Sequence, residues 1–160
     1  MKKLLIDFDI CDGCEGRDEC PAKCSYPYHP GNAGVTSLRE LAAYAVICRR
    51  CELANCISAC PKEALEKNDK GILVRHNMRC ISCKSCSLAC PFGTIYPDAI
   101  PYGLSRCDYC LGRIGPNEDP LCVRTCPLGA IRYVEIAPDE AKQLREASDN
   151  LIVKCSVWKR

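Results

Sequence analysis

Apolar positions along this chain come in short bursts, and most bursts break off at a cysteine. Residues 2–10 (KKLLIDFDI) gather apolar and β-branched side chains into a run that predicts a strand. Residues 36–47 predict a short helix entered at Thr36 or Ser37, with Glu40 as the capping-box partner. A helical turn is expected over 62–65, and strands over 72–74 and 132–136. Residues 138–148 are charged and helix-permissive, with Ala141, Leu144 and Ala147 three apart, and 151–158 again read as a strand. Turn-forming residues separate these runs, at 25–32, at 68–71, around Pro97, Pro101 and Gly103, and across 111–121. Elements this short, in 160 residues with two Phe and one Trp, do not fill a large core by themselves. Something else must cross-link the chain.

The 17 cysteines supply it. Sixteen fall into four quartets: Cys11, Cys14, Cys20, Cys24; Cys48, Cys51, Cys56, Cys60; Cys80, Cys83, Cys86, Cys90; and Cys107, Cys110, Cys122, Cys126. The third quartet, followed by Pro91, has the spacing C-x2-C-x2-C-x3-C-P, the run by which bacterial ferredoxins hold iron–sulfur cubes. The second departs from it by an x4 gap before Cys56, the first by an x5 gap before Cys20, and the fourth by an x11 insertion before Cys122. Cys60-Pro61-Lys62-Glu63-Ala64-Leu65, Cys90-Pro91-Phe92-Gly93-Thr94-Ile95 and Cys126-Pro127-Leu128-Gly129-Ala130-Ile131 form an internal repeat. Cys155 stands apart and reads as a small buried hydrophobe. His29 and His76 read as structural, because cysteines already fill the ligand positions.

Two other uses of cysteine compete with iron–sulfur clusters. Disulfides need an oxidising compartment, and the N-terminal run meets Asp7 too early to form an apolar export segment. Structural zinc also uses paired C-x2-C elements, separated by longer gaps. The odd total and the regular quartets favour clusters. No stretch approaches the roughly 20 apolar residues of a membrane span, and the expected location is cytoplasmic. The formal charge of +2 counts thiols as neutral. Four oxidised cubes with their thiolates would move it to about −6, which does not support a nucleic-acid footprint. The chain has no G-x-G-x-x-G and no P-loop, so any nucleotide or flavin site belongs to another subunit.

On these motifs the chain resembles the four-cluster ferredoxin-like electron-transfer subunits found with molybdenum or tungsten oxidoreductases, hydrogenases and carbon monoxide dehydrogenases. The resemblance covers roughly residues 4–136 and is specific for the cofactor rather than for the partner. It implies an α+β fold of two bacterial-ferredoxin-like modules, with short strands, short helices and cluster-binding loops. One module is 1–35 with 104–136, the second is 36–103 inserted into it, and 137–160 form a tail of helix and strand. It also implies four [4Fe-4S] clusters in crossed ligand sets. Cys11, Cys14 and Cys20 join Cys126, and Cys24 joins Cys107, Cys110 and Cys122. Cys48, Cys51 and Cys56 join Cys90, and Cys60 joins Cys80, Cys83 and Cys86. Each fourth cysteine is expected to begin the helix leaving its loop.

The expected function is a non-catalytic relay of single electrons to or from a larger oxidoreductase subunit, with a tungsten aldehyde oxidoreductase-type enzyme first among partners. A flavin subunit or a soluble ferredoxin is the expected exchange partner. The alternative is a free-standing polyferredoxin carrier; an enzyme with one labile cluster is disfavoured because sixteen cysteines leave no three-cysteine site. Arg49, Arg50, Arg79, Lys84 and Arg106 lie beside ligand positions and either raise cluster potentials or remain solvated surface charges. The tail and the loop from Tyr26 to His29 are the expected partner contacts.

Overall fold

A computed structural model describes residues 1–11, 14, 20–24, 33–97, 100 and 106–156. His29, the Tyr26–His29 loop, Pro101, Gly103 and Trp158 lie outside the described residues. The architecture is α+β, with short helices, a four-stranded sheet and a separate two-stranded ribbon of β2 (Leu65–Lys67) and β3 (Leu73–Arg75).

Strand β1 (Lys3–Asp7) lies inside the larger sheet, between β4 (Ile131–Val134) and β6 (Leu151–Lys154), with β5 (Leu144–Ser148) beside β6 at the edge. It pairs antiparallel with β4 and parallel with β6. Alternation sorts its side chains between two faces. Leu4 and Ile6 join Leu151 and Val153 in the main core, whereas Leu5 packs with Ile152 and Leu144 on the other side. Each aliphatic side chain buried so completely stabilises the fold by about 1.5–3 kcal/mol. Asp7, at 0% exposure, accepts hydrogen bonds from Arg132 at 3.1 Å and Lys154 at 3.0 Å, which ties β4, β1 and β6 at one end. The expected strand over 2–10 stops at Asp7; Phe8–Cys11 coil into a single helical turn, α1.

Helix α2 (Ala33–Val46) packs on β5 and β6. Its alanines Ala42 and Ala45 let the backbone approach the sheet closely, and Val35, Leu38 and Val46 fill the gap. The helix begins ahead of the Thr36 or Ser37 entry the sequence suggests, so Glu40 is not a capping residue. It sits well inside the helix and is 5% exposed.

The C-terminal segment corrects another expectation. Residues 138–148 do not form a helix: 140–143 turn, Leu144–Ser148 form β5, and β5 runs antiparallel to β6. Leu144, Ile152 and Val153 are buried, and an alternating strand buries them against a sheet where a helix would leave them half exposed. The segment is therefore structural, with β6 between β1 and β5. It also holds the middle of the chain: the Glu146 carbonyl accepts from Arg49 at 2.9 Å, its carboxylate binds Lys70 at 2.7 Å, and Ser148 donates to Tyr109 at 2.9 Å. Cys155 is 4% exposed within the main core.

Candidate metal centres

The cysteines are placed by a local unit that recurs three times. Helices α3 (Asn55–Ser58), α4 (Ser85–Ala89) and α5 (Leu121–Thr125) are each about one turn long and carry the third cysteine of a quartet, Cys56, Cys86 or Cys122. The fourth cysteine, Cys60, Cys90 or Cys126, follows the helix. The expectation that it begins the next helix is thus reversed, because proline after it breaks the helical ladder. A tight turn comes next, in which Glu63, Gly93 and Gly129 donate to the Cys60, Cys90 and Cys126 carbonyls and adopt φ of 47°, 62° and 61°. No helical turn forms over 62–65. The chain then dives inward: Ala64, Thr94 and Ala130 are buried, as are Leu65, Ile95 and Ile131. Left-handed backbone concentrates here. Among the described residues, Ala54, Glu63, Ser82, Lys84, Tyr109 and Cys110 have positive φ within the cysteine segments, and only Gln143 does so among non-glycines elsewhere. Strain of this kind persists where the surroundings fix it, commonly at functional sites.

The turns bring cysteines from different quartets together. One cavity is lined by Cys48, Cys51, Cys56 and Cys90, with Thr94, Lys67 and Phe92 beside them. A second is lined by Cys60, Cys80, Cys83 and Cys86, with Ala64, Leu65 and Arg75. A third is lined by Cys24, Cys107, Cys110 and Cys122, walled by Leu4, Val35, Leu38 and Leu121. The remaining set, Cys11, Cys14, Cys20 and Cys126, borders residues 12–13 and 15–19, which lie outside the described residues. Within the first cavity Thr94 bridges two thiols, its hydroxyl 3.6 Å from Cys48 Sγ and 3.2 Å from Cys90 Sγ. Backbone amides also point at sulfur: Ala64 N–H donates to Cys60 at 3.3 Å and Tyr109 N–H to Cys107 at 3.4 Å.

These cavities fit a cube better than a single ion. Among the described residues, no three His, Cys, Asp or Glu side chains gather closely enough to hold one metal ion. A four-thiolate zinc site needs such a gathering, whereas a [4Fe-4S] cube spreads its four thiolates over four irons. Burial pushes the thiols of Cys48 and Cys107 up to about 11 and that of Cys122 up to about 12. Each of these rises further because neighbouring cysteines of its own cavity would also carry negative charge. Such thiols are neutral at pH 7 until a cation takes the proton's place, so loading a metal releases protons. Cys90 goes the other way: burial raises it, but hydrogen bonds from Thr94 and from the following backbone outweigh that and hold it below the usual thiol range.

The charged neighbours divide sharply. Arg50, Arg79 and Lys84, expected from sequence to flank ligands, are exposed. Arg49 donates to the Glu146 carbonyl, and Arg106 donates to the Arg75 carbonyl. Lys62 and Lys84 line the cavity of Cys60, Cys80, Cys83 and Cys86 from its exposed side, whereas the buried cation in its wall is one the sequence did not single out. Arg75, 8% exposed, ends β3 (Leu73–Arg75), where alternation from buried Leu73 turns it to the core. Its guanidinium donates to Glu40 at 2.7 Å and to the Tyr44 hydroxyl at 2.9 Å. Glu40 also accepts from Tyr96 N–H at 3.2 Å. Burial would lower Arg75, but Tyr44, Glu40 and Cys86 together hold it above its ordinary value, so it stays charged. Extending the period-two pattern of Ile72–Val74 by one residue would have flagged it; its partners, 31 and 35 residues away, were beyond any local pattern.

The 4Fe-4S dicluster domain family matches residues 40–136, more than half of the chain. The chain belongs to that family. It is an iron–sulfur protein with [4Fe-4S] clusters, made for electron transport. Similar proteins include the B subunit of the anaerobic dimethyl sulfoxide reductase of Escherichia coli strain K12, 29% identical over 149 residues, 81% of this chain and 71% of that one. The protein of the same name from Haemophilus influenzae is 30% identical over 127 residues, 72% of this chain and 62% of that one. The thiosulfate reductase electron transfer subunit PhsB of Salmonella typhi is 32% identical over 155 residues, 88% of this chain and 79% of that one. No helix among the described residues is long and apolar enough to cross a membrane.

Proposed function

We propose that this chain is the non-catalytic electron-transfer subunit of a cytoplasmic oxidoreductase complex and carries four [4Fe-4S] clusters on its sixteen quartet cysteines. The observation that supports it most is the crossing of ligands. Each of three cavities is lined by three cysteines of one quartet and a fourth from another, which is the arrangement of a two-cluster ferredoxin. When bound, the clusters supply reversible one-electron storage. The chain's own residues do the rest. Sixteen thiols fill every corner of four cubes, which leaves no iron open to a substrate. Thr94 and the amides of Ala64 and Tyr109 hydrogen-bond to ligand sulfurs and so favour the more negative, reduced state.

The proposed organisation keeps 1–35 with 104–136 as one module around Cys11, Cys14, Cys20, Cys24, Cys107, Cys110, Cys122 and Cys126, with 36–103 as the other. Pairing of β1 with β4 supports the first grouping. The relatives named as components of two reductases favour a subunit over a free-standing carrier, and they point to a molybdenum-type oxidoreductase as the catalytic partner. A tungsten aldehyde oxidoreductase-type partner is the narrower form of the same proposal. Anaerobic purification from the native cell tests it: a larger oxidoreductase polypeptide should accompany the protein, with about sixteen irons and sixteen sulfides per molecule. Purification of the protein alone would favour the carrier, and a colourless, zinc-rich preparation would overturn the clusters altogether.

A further inference from the structure

Arg75 has an environment that stability alone does not explain. A buried ion pair takes two charges out of water, and the attraction between them often fails to repay that. Yet Arg75 and Glu40 are 8% and 5% exposed, and Glu40 is shared among the Arg75 guanidinium, Tyr44 and Tyr96 N–H. Arg75 is also part of the cavity wall formed with Cys60, Cys80, Cys83 and Cys86, and its charge favours the Cys86 thiolate against the effect of burial. On its other side it lines a cavity of about 540 Å³ that also reaches Cys80 and Cys107, members of two different proposed ligand sets.

We propose that Arg75 is a positioning residue for redox potential: a buried cation that raises the potential of the cluster bound by Cys60, Cys80, Cys83 and Cys86, with Glu40 holding it in place and partly offsetting its charge. The inference rests on the proposed assignment of those four cysteines to one cluster. The physical step is simple. Reduction adds one negative charge to an already anionic cube, and a guanidinium held in a low-dielectric wall stabilises that charge more than a solvated one does. The cation lining the cavity of Cys48, Cys51, Cys56 and Cys90 differs in kind. Lys67 is half-exposed and bonded to the Cys51 carbonyl, so solvent and salt screen it.

The opposite signs expected of two substitutions make the proposal testable. The full chain, purified anaerobically with its clusters, is titrated electrochemically while EPR follows each cluster, and a Cys60→Ala variant identifies the relevant signal by losing it. In Arg75→Met the oxidised-to-reduced ratio of that cluster, at fixed solution potential, should rise about tenfold, a drop of about 59 mV for one electron. The other signals should stay where they are. Glu40→Gln, which leaves the guanidinium less compensated, should shift the same signal the other way, and Arg75→Lys should keep it near the wild-type position. Full iron content with unmoved potentials in both Arg75→Met and Glu40→Gln overturns the proposal. If Arg75→Met loses iron, Glu40→Gln decides by itself: a rise supports the role and no shift or a fall overturns it. A wild-type protein with well under sixteen irons, lacking the signal that Cys60→Ala should remove, would overturn the ligand assignment and with it this inference, an outcome distinct from unmoved potentials.

Discussion

Two of the cysteine cavities each present four thiols and differ in the buried charge of the wall behind them. The one with Cys60, Cys80, Cys83 and Cys86 has Arg75 in its wall. The one with Cys24, Cys107, Cys110 and Cys122 is walled by Leu4, Val35, Leu38 and Leu121, with Asp108 near it and Lys23 exposed to solvent. The difference shows in the thiols, since burial pushes Cys107 and Cys122 to about 11 and about 12, while Arg75 opposes the rise at Cys86. An environment that disfavours a thiolate also disfavours an added electron. The lesson is that a ligand motif fixes what is bound, and the wall behind it fixes how readily charge enters. The cluster proposed for the Arg75 cavity should therefore have the higher midpoint potential of the two.

The harshest way to break the comparison is to remove a ligand. Cys60→Ala should empty the cavity of Cys80, Cys83 and Cys86, although Cys60 belongs by sequence to the preceding quartet. Iron should fall from about sixteen to about twelve per molecule, and the signal of the Cys48, Cys51, Cys56 and Cys90 cluster should survive. Loss of that signal instead would refute the crossed pairing. A middle-sized effect is expected at Thr94, whose hydroxyl lies against two sulfurs in a cavity of neither extreme. Thr94→Val should lower that cluster's potential alone, by less than Arg75→Met lowers its own, because a hydrogen bond carries only part of a charge. Redox titration of the two variants side by side checks the order.

Smaller still is Asp108→Asn beside the apolar cavity. Asp108 is paired with Arg113 and 41% exposed, so removing its charge should raise the neighbouring potential slightly, and added salt should erase the difference. The smallest change leaves potentials alone. Glu63 occupies the left-handed position that Gly93 and Gly129 fill in the other repeats. Glu63→Gly relieves a side-chain clash but adds freedom to the unfolded chain, for a net gain of ~0.5–1 kcal/mol in stability by denaturant titration of the loaded protein.

Much of this was legible in the chain itself. The quartets, their prolines and the Ala64, Thr94 and Ala130 repeat are local patterns, and local patterns dictate local turns. The same locality set the errors. Glu40, three residues after Ser37, satisfies a capping rule, yet it lies inside α2, where its carboxylate meets Arg75 from a distant strand. Residues 138–148 carry a weak three-residue period, but the open edge of β6 recruits Leu144–Ser148 as a strand. Propensity in such a segment is smaller than the free energy of completing a sheet.

By itself, then, the order of residues determined the cofactor chemistry and the turns that present sulfur, since both depend on neighbours a few positions apart. Which thiols share a cavity, which cation is buried behind one of them and where the last hairpin docks were decided only by tertiary structure. These depend on side chains separated by tens of residues, and only burial in a common core turns such pairs into neighbours whose charges water no longer screens.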